Sequence, residues 1–381
     1  MTLLLRQEAV ATADVVVVKV GSRVLTGPDG LLDQQRVADL AEELARAADA
    51  GRKVVLVSSG AVAAGMGQMG LKQRPADLAH LQAASAIGQS HLIQAYDRAF
   101  KRHRRHAAQL LLTADGLHDR TRYLNVRNTL LALLENGAIP IVNENDTVSV
   151  EELQLSFGDN DRLAAMVTNL IGAQLLILLS DIDGLYDRDP AQPDAQRIAL
   201  VNQIDEAIIS LVVDRKTGLS KGGMASKLAA AKIATDSGEN VIIANGHQRG
   251  ILTEVLAGAD VGTLFLATGQ SVRLRKRWIG FAVQVQGRVT VDAGARRAIV
   301  EQGRSLLAIG VVECEGNFKK GDPIAICGPD GQEFARGMIN YSREEILKIR
   351  GLKATKIAAM LGHCPYDEVV HRDNMSVSAD G

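Results

Sequence analysis

Aromatic residues are scarce: Phe, Tyr and Trp make up 3% of the 381 positions, and there is a single Trp. Rings cannot fill the interior, which falls to Val, Ile, Leu and Ala packed at short distance, a palette suited to helices laid on sheets. Cysteine is as rare. Cys314, Cys327 and Cys364 show no CxxC and no zinc-type histidine spacing, which excludes a disulfide frame or structural zinc and leaves reduced thiols in a cytoplasmic protein. No apolar run approaches the roughly 18 residues that cross a bilayer, and the leucines at 3–5 are followed at once by Arg6 and Glu8. A cytoplasmic protein is the default expectation on that ground. Charge of one sign is missing too. Lys and Arg number 43 against 44 Asp and Glu, so no whole-molecule field draws the chain to nucleic acid or membrane. That balance is a cancellation, because residues 271–381 hold 17 Lys and Arg against 13 Asp and Glu and the rest is acidic. Internal repeats, low-complexity tracts and a Walker A sequence are also absent.

What is present reads as an ordinary globular chain, 46% apolar and 23% charged, long enough for two to three domains. Val15–Val20 is a β-branched run broken only by Lys19 and followed by Gly21 and Ser22, a buried strand feeding a glycine turn. Asp33 caps a helical period that runs to Gly51, and 54–57 is a second buried strand, which makes a parallel βαβ unit. The alternation continues with helices expected over 76–105, 121–135, 161–171 and 223–237. Strands are expected over 109–112, 139–142, 175–179, 241–244 and 261–266. This is the pattern of an open α/β sheet, mainly parallel, covered by helices on both faces as a three-layer αβα sandwich. After about residue 267 the segments turn short, alternating and Gly-punctuated, at 287–291, 306–312, 323–327 and 333–339. Helical pieces there are expected only around 293–301 and 343–349. The expected division is a domain over 1–268, a linker over 269–278, and a small β-rich domain with a C-terminal extension over 279–381.

Some motifs are decoys. Gly65, Gly67 and Gly70 spell GxGxxG, but the strand before them ends near Ser58 and 61–64 already looks helical, so the turn that cradles a dinucleotide is missing. Lys216-Thr217-Gly218 mimics a β-lactamase signature without the SxxK that carries the nucleophile. The basic run 101–106 sits at a helix C-terminus, where the dipole favours cations.

The loops at strand C-terminal ends are different, since ligands bind along that edge of an open α/β sheet. A lysine buried at position 19 requires a carboxylate or a phosphate. Ser58-Ser59-Gly60-Ala61 is a small-residue junction whose free N–H groups and hydroxyl suit an anion. Asn143-Glu144-Asn145-Asp146 and Gly158-Asp159-Asn160-Asp161 crowd acids and amides beside the expected cleft, which points to an ammonium, a metal or both. Ser180-Asp181-Ile182-Asp183-Gly184 follows another strand. Lys221-Gly222-Gly223-Met224-Ala225-Ser226-Lys227 brings backbone donors and a second lysine to a helix start, a fit for phosphate oxygens. Two lysines, a glycine-lined helix start and acids on one edge suggest phosphoryl transfer without a P-loop, with Mg²⁺ bridging the phosphates.

Taken in order, VVKVGS, VSSGAVAAG, the VNEND of 142–146, GDND, SDIDGLY, GGMASK and the HRDNM of 371–375 resemble the amino acid kinase family over nearly the whole chain. The small C-terminal domain is similar to a PUA module. The resemblance implies the amino acid kinase fold and ATP with Mg²⁺. It also implies Lys19 and Lys227 along the transferring phosphate, with Asp161 holding both lysines. Ser59, Asn143, Asp146, Asp159 and Asn160 would bind the acceptor. Lys19, Ser180, Asp181 and the loop Lys221, Gly222, Gly223, Met224, Ala225, Ser226 and Lys227 would hold ATP, with no metal ligand from the protein itself. Family members often carry Thr where Ser180 and Lys221 stand, so Lys221 adds a charge beside the nucleotide. The match is closest to members that phosphorylate the γ-carboxylate of L-glutamate, which further implies proline as feedback inhibitor and a homo-oligomer, dimer or tetramer. Other family members act on aspartate, N-acetylglutamate, uridylate or carbamate, and these stay open as alternatives. So does an RNA-binding regulatory protein with a degenerate kinase body, because PUA modules are common in RNA-modifying proteins, although the basic surplus after residue 270 is too modest to argue for RNA.

Overall fold

The computed structural model describes residues 2–148, 159–212, 223–268, 279, 284–362 and 366–378. Two compact units make up the chain, Met1–Leu117 with Thr121–Gln270, and Ser271–Gly381 with His118–Arg120.

The first unit is built on one eight-stranded sheet of β1 (Val15–Val20), β2 (Lys53–Val57), β3 (Ala107–Leu112), β4 (Ile139–Glu144), β5 (Leu175–Ser180), β6 (Leu200–Val201), β7 (Asn240–Asn245) and β8 (Thr263–Phe265). Its order is β3-β4-β2-β1-β5-β7-β8-β6. The first six are mutually parallel, and β8 runs antiparallel to β7 with β6 parallel to β8 at that edge. The chain steps from β1 to one side for β2–β4 and then to the other for β5, so β1 and β5 flank the reversal where such sheets open a crevice.

Strand β1 is apolar on both faces because both are covered. Val16, Val18 and Val20 join Leu40, Leu44 and Tyr96 in one core, beneath helices Gln34–Asp49 and Leu78–Lys101. The other face carries Val17 and Lys19, and there helix Asp159–Ile171 lies against β1, β4 and β5, with helix Met224–Asp236 packed on it. Period two therefore aims Lys19 at the helix that starts with Asp159, Asn160 and Asp161. Register pairs Lys19 with Leu178, so Ser180, two residues on, shares that face.

Two departures from sequence expectation trace to a specific contact. Helix Thr2–Ala11 was not expected, since its Leu3 and Leu4 are exposed while Arg6 is buried. The Arg6 guanidinium donates to the carbonyls of Val261, Ala199 and Gly262 at 2.6, 3.0 and 3.2 Å. The single strand expected over 306–312 is instead β10 (Leu306–Leu307), a 3-10 turn Ala308–Gly310, and β11 (Val311–Gly316). Gly310 packs so close to the helix beside it that a Cβ there would stand 2.5 Å from the Cβ of Ala295, and the chain turns off the sheet line to make that approach.

The second unit has its own core. With β9 (Gly287–Val291), β12 (Pro323–Cys327), β13 (Glu333–Met338), β14 (Glu368–Val370) and β15 (Met375–Val377), it forms a five-stranded sheet of order β11-β9-β12-β13-β15 and a β10-β14 pair. Val289, Ile324, Ile326, Phe334 and Ile346 fill its interior. Helix Arg343–Ile349 starts on a capping box of Ser342 and Glu345, and helix Ala354–Leu361 follows it.

Candidate active site

The C-terminal ends of β1, β2, β4 and β5 open into a cleft of about 740 Å³. Three charged side chains meet at its floor. Asp161, 1% exposed, receives Lys19 Nζ at 2.6 Å on one oxygen and Lys227 Nζ at 3.3 Å on the other, with Ser226 Oγ donating at 2.9 Å. Burial alone would raise the Asp161 carboxyl, but the two ammonium groups outweigh it and hold the group below the ordinary carboxylate range. Asp161 is thus a fixed anion, and its work is to hold two cations side by side. Burial lowers Lys227, an effect that Asp161 opposes and the like charge of Lys19 reinforces. Two positive charges share one negative one, so the floor keeps a surplus of positive charge aimed at the cleft.

The wall toward β2 and β4 is made of neutral donors and one acid. Asn160 Nδ2 donates to Ser59 Oγ at 3.1 Å and to Asn143 Oδ1 at 3.2 Å, which locks three cleft residues from three segments. Asp146 is 6% exposed. One of its oxygens accepts from Ser85 Oγ, and the other is buried without a hydrogen-bond partner among the described residues. A buried carboxylate oxygen left open in this way suits an ammonium. Gly60, at φ 96°, turns the chain from β2 into helix Ala61–Met69, whose first N–H groups border the cleft beside Ser59.

The wall toward β5 carries Ser180 and Asp181. Ser180 Oγ donates to Asp181 Oδ1 at 3.0 Å, and Arg23 pairs with Asp181 Oδ2 at 2.8 Å. Partial burial pushes the Asp181 carboxyl up, but Arg23 and Ser180 together bring it below its ordinary value. Gly223, at φ 144°, caps helix Met224–Asp236 and lines the cleft.

Of the residues singled out in the sequence, Lys19, Ser59, Asn143, Asp146, Asn160, Asp161, Ser180, Asp181, Gly223 and Lys227 line this one cleft. Ser226 reaches it through Asp161, whereas Met224 and Ala225 are not among its lining residues. The Asp159 side chain, Lys221 and Gly222 lie outside the described residues. Sequence reasoning missed Ser85, Arg23, Lys72 and Arg74. The first orients Asp146, the second pairs with Asp181, and the last two line the cleft. Ser85 sits mid-helix and the two cations are in an irregular segment, so no periodicity marks them. Two of the decoys fall where expected: GxGxxG straddles helix Ala61–Met69 and its cap, and in the basic run Lys101 pairs with Asp97 and Arg105 with Asp49, while Lys216-Thr217-Gly218 lies outside the described residues.

The profile of the amino acid kinase family matches residues 14–245, more than half the chain and every described residue of the cleft floor. The chain belongs to the amino acid kinase family. A PUA domain profile matches residues 287–361, in the second unit. Relatives within the family match from end to end. A glutamate 5-kinase of Rhodopirellula baltica is 48% identical over 98% of this chain and 96% of its own length. Proteins of the same name from Syntrophotalea carbinolica and Geobacter metallireducens are 45% and 48% identical, covering 98% and 95% of this chain and 100% and 97% of theirs. The sandwich with its mainly parallel sheet is accordingly the amino acid kinase fold, followed by a PUA domain.

Proposed function

We propose that this chain is a glutamate 5-kinase, transferring the γ-phosphoryl group of ATP to the γ-carboxylate of L-glutamate. The products are L-glutamyl 5-phosphate and ADP, and the reaction opens proline biosynthesis. The observation that carries the reading is Asp161 gripping Lys19 and Lys227 at the floor of one cleft. A γ-carboxylate is already ionised at pH 7, so no strong general base is needed. In the transfer, a carboxylate oxygen forms a bond to the γ-phosphorus while the bridging P–O bond breaks and its electron pair leaves with ADP. Lys19 and Lys227 offset the charge spread over the moving phosphoryl oxygens. Asp161, an anion throughout, positions them.

Ser59, Asn143, Asp146, Asp159 and Asn160 take the amino acid: the open oxygen of Asp146 receives its ammonium, and the hydroxyl and amides receive its carboxylates. Ser180, Asp181 and the 221–227 loop take ATP. Mg²⁺ carried by the nucleotide would supply positive charge at its phosphates; among the described residues no group of three His, Cys, Asp or Glu side chains could hold an ion by itself. The same reading makes proline a feedback inhibitor, the assembly a dimer or tetramer, and the cytoplasm its place. No described helix is long and apolar enough to cross a membrane. Catalysis belongs to 1–268 and the PUA module to 279–381, with 269–278 between them.

The test is ADP release under MgATP with a panel of acceptors. L-Glutamate should support it, while aspartate, N-acetylglutamate, UMP and carbamate should not. Release driven by another acceptor would move the chain elsewhere in the family, and none with any acceptor would leave a degenerate kinase body.

A further inference from the structure

Helix Gln34–Asp49 buries two opposite charges against one stretch of chain. Glu43 accepts from the backbone N–H groups of Gly250, Leu252 and Thr253 at 3.2, 2.8 and 3.4 Å, satisfying the start of helix Ile251–Leu256. Arg36, two turns earlier and 7% exposed, donates through Nη2 to the carbonyl of Gly246. Its Nε and Nη1 have no hydrogen-bond partner, and no ion pair forms with it among the described residues. A buried guanidinium with so few partners is costly, and stability alone would favour an apolar residue there. The atom it grips explains its presence.

Gly246 closes the turn after β7, and its N–H donates to the Ser180 carbonyl at 2.6 Å. That carbonyl belongs to the peptide joining Ser180 to Asp181, both of which line the cleft. A Cβ on Gly246 would stand 2.7 Å from Cγ1 of Val24, so the turn is also wedged against the segment that leaves β1 after Lys19. Gly21 N–H in turn donates to the Leu179 carbonyl at 3.1 Å. The loops after β1, β5 and β7 meet where Arg36 holds Gly246, and the first two of them line the cleft. Neither Arg36 nor Gly246 lines the cleft.

We infer that Arg36 is a positioning residue for the nucleotide half of the site, fixing the Ser180–Asp181 peptide through Gly246. The inference rests on the reading of Ser180 and Asp181 as nucleotide contacts. It is tested in the full chain with Arg36→Met, the milder Arg36→Lys, and Glu43→Gln as comparison. Affinity for a non-hydrolysable ATP analogue is measured by calorimetry, together with both KM values, kcat and Tm. Losing a charged hydrogen bond that orders a loop should weaken analogue binding and raise the KM for ATP about tenfold in Arg36→Met, leaving the KM for glutamate within about twofold. Arg36→Lys, which keeps the charge but loses the planar fork, should fall between. Glu43→Gln should lower Tm and leave analogue affinity unchanged. Unchanged analogue affinity in a folded Arg36 variant would overturn the inference, as would both KM values rising together, or Glu43→Gln weakening the nucleotide equally. If the wild type binds the analogue yet releases no ADP with glutamate, the functional reading fails while the affinities still decide the role of Arg36.

Discussion

At the scale of single residues, the site turns on how two lysines are kept charged and close in a buried place. On the proposed roles, Lys19→Met or Lys227→Met removes charge that acts mainly in the transition state and should lower kcat about 10²–10³-fold, with Tm little changed. Asp161→Asn is expected to be worse for stability, because it leaves two buried ammonium groups without their anion, and thermal unfolding beside kcat will report both effects. The pH profile adds a sign. Burial holds Lys227 below the ordinary lysine range, so activity should fall on the alkaline side earlier than a free lysine would dictate, as Lys227 loses its proton. In Lys227→Arg, whatever activity survives should lack that limb, since guanidinium does not titrate there; an unmoved limb would assign it to another group. Lys19 was legible in the sequence because a lone charge in a buried strand demands a partner. Which carboxylate it meets was not legible from the acid clusters of 143–146 and 158–161 themselves, and Asp161 came only from the family resemblance. Ser85 and Arg36 were not legible either, since a helix pattern records which face is apolar and says nothing about which polar side chain reaches across to another segment.

Elements set the precision of the site through close backbone packing. Helices Ala61–Met69 and Leu78–Lys101 cross so tightly that a Cβ on Gly88 would stand 1.7 Å from the Ala61 carbonyl oxygen, and one on Gly65 would stand 1.8 Å from that of Ala84. Ala61 is two residues from Ser59, so this crossing fixes the cleft wall proposed to take the acceptor. Gly88→Ala should cost about 1–3 kcal/mol and raise the KM for glutamate more than that for ATP, read by denaturant unfolding beside kinetics. Gly67→Ala meets only Leu31 Cδ2 at 3.8 Å and should stabilise the helix by about 0.5–1 kcal/mol. An opposite order of the two variants would contradict the packing argument. The strand order was not legible as such. The alternation of strands and helices was, because apolar runs such as those of β1 and β5 announce strands buried on both faces, while pairing depends on contacts far apart in the chain. Helix Thr2–Ala11 shows the reverse case, held by carbonyls gathered round Arg6 as well as by Ala9 and Val10 in the core.

The whole molecule joins a kinase unit and a PUA unit with separate cores. Every residue of the cleft precedes residue 228, so a chain ended at residue 268 should keep a cooperative thermal transition and glutamate-dependent turnover. Loss of both would show that the first core does not stand alone. The near-zero net charge, which excluded a field over the entire surface, hides an acidic catalytic part and a mildly basic tail. The acidic part still presents two lysines at its cleft floor, because local placement rather than total charge decides what an anion meets. The decisive measurement is chemical trapping of the product. An acyl phosphate reacts with hydroxylamine, so incubation with MgATP, L-glutamate and hydroxylamine should yield γ-glutamyl hydroxamate in step with ADP, and Lys19→Met should yield almost none. ADP formed without hydroxamate, or hydroxamate undiminished in Lys19→Met, would contradict transfer to the γ-carboxylate at this site.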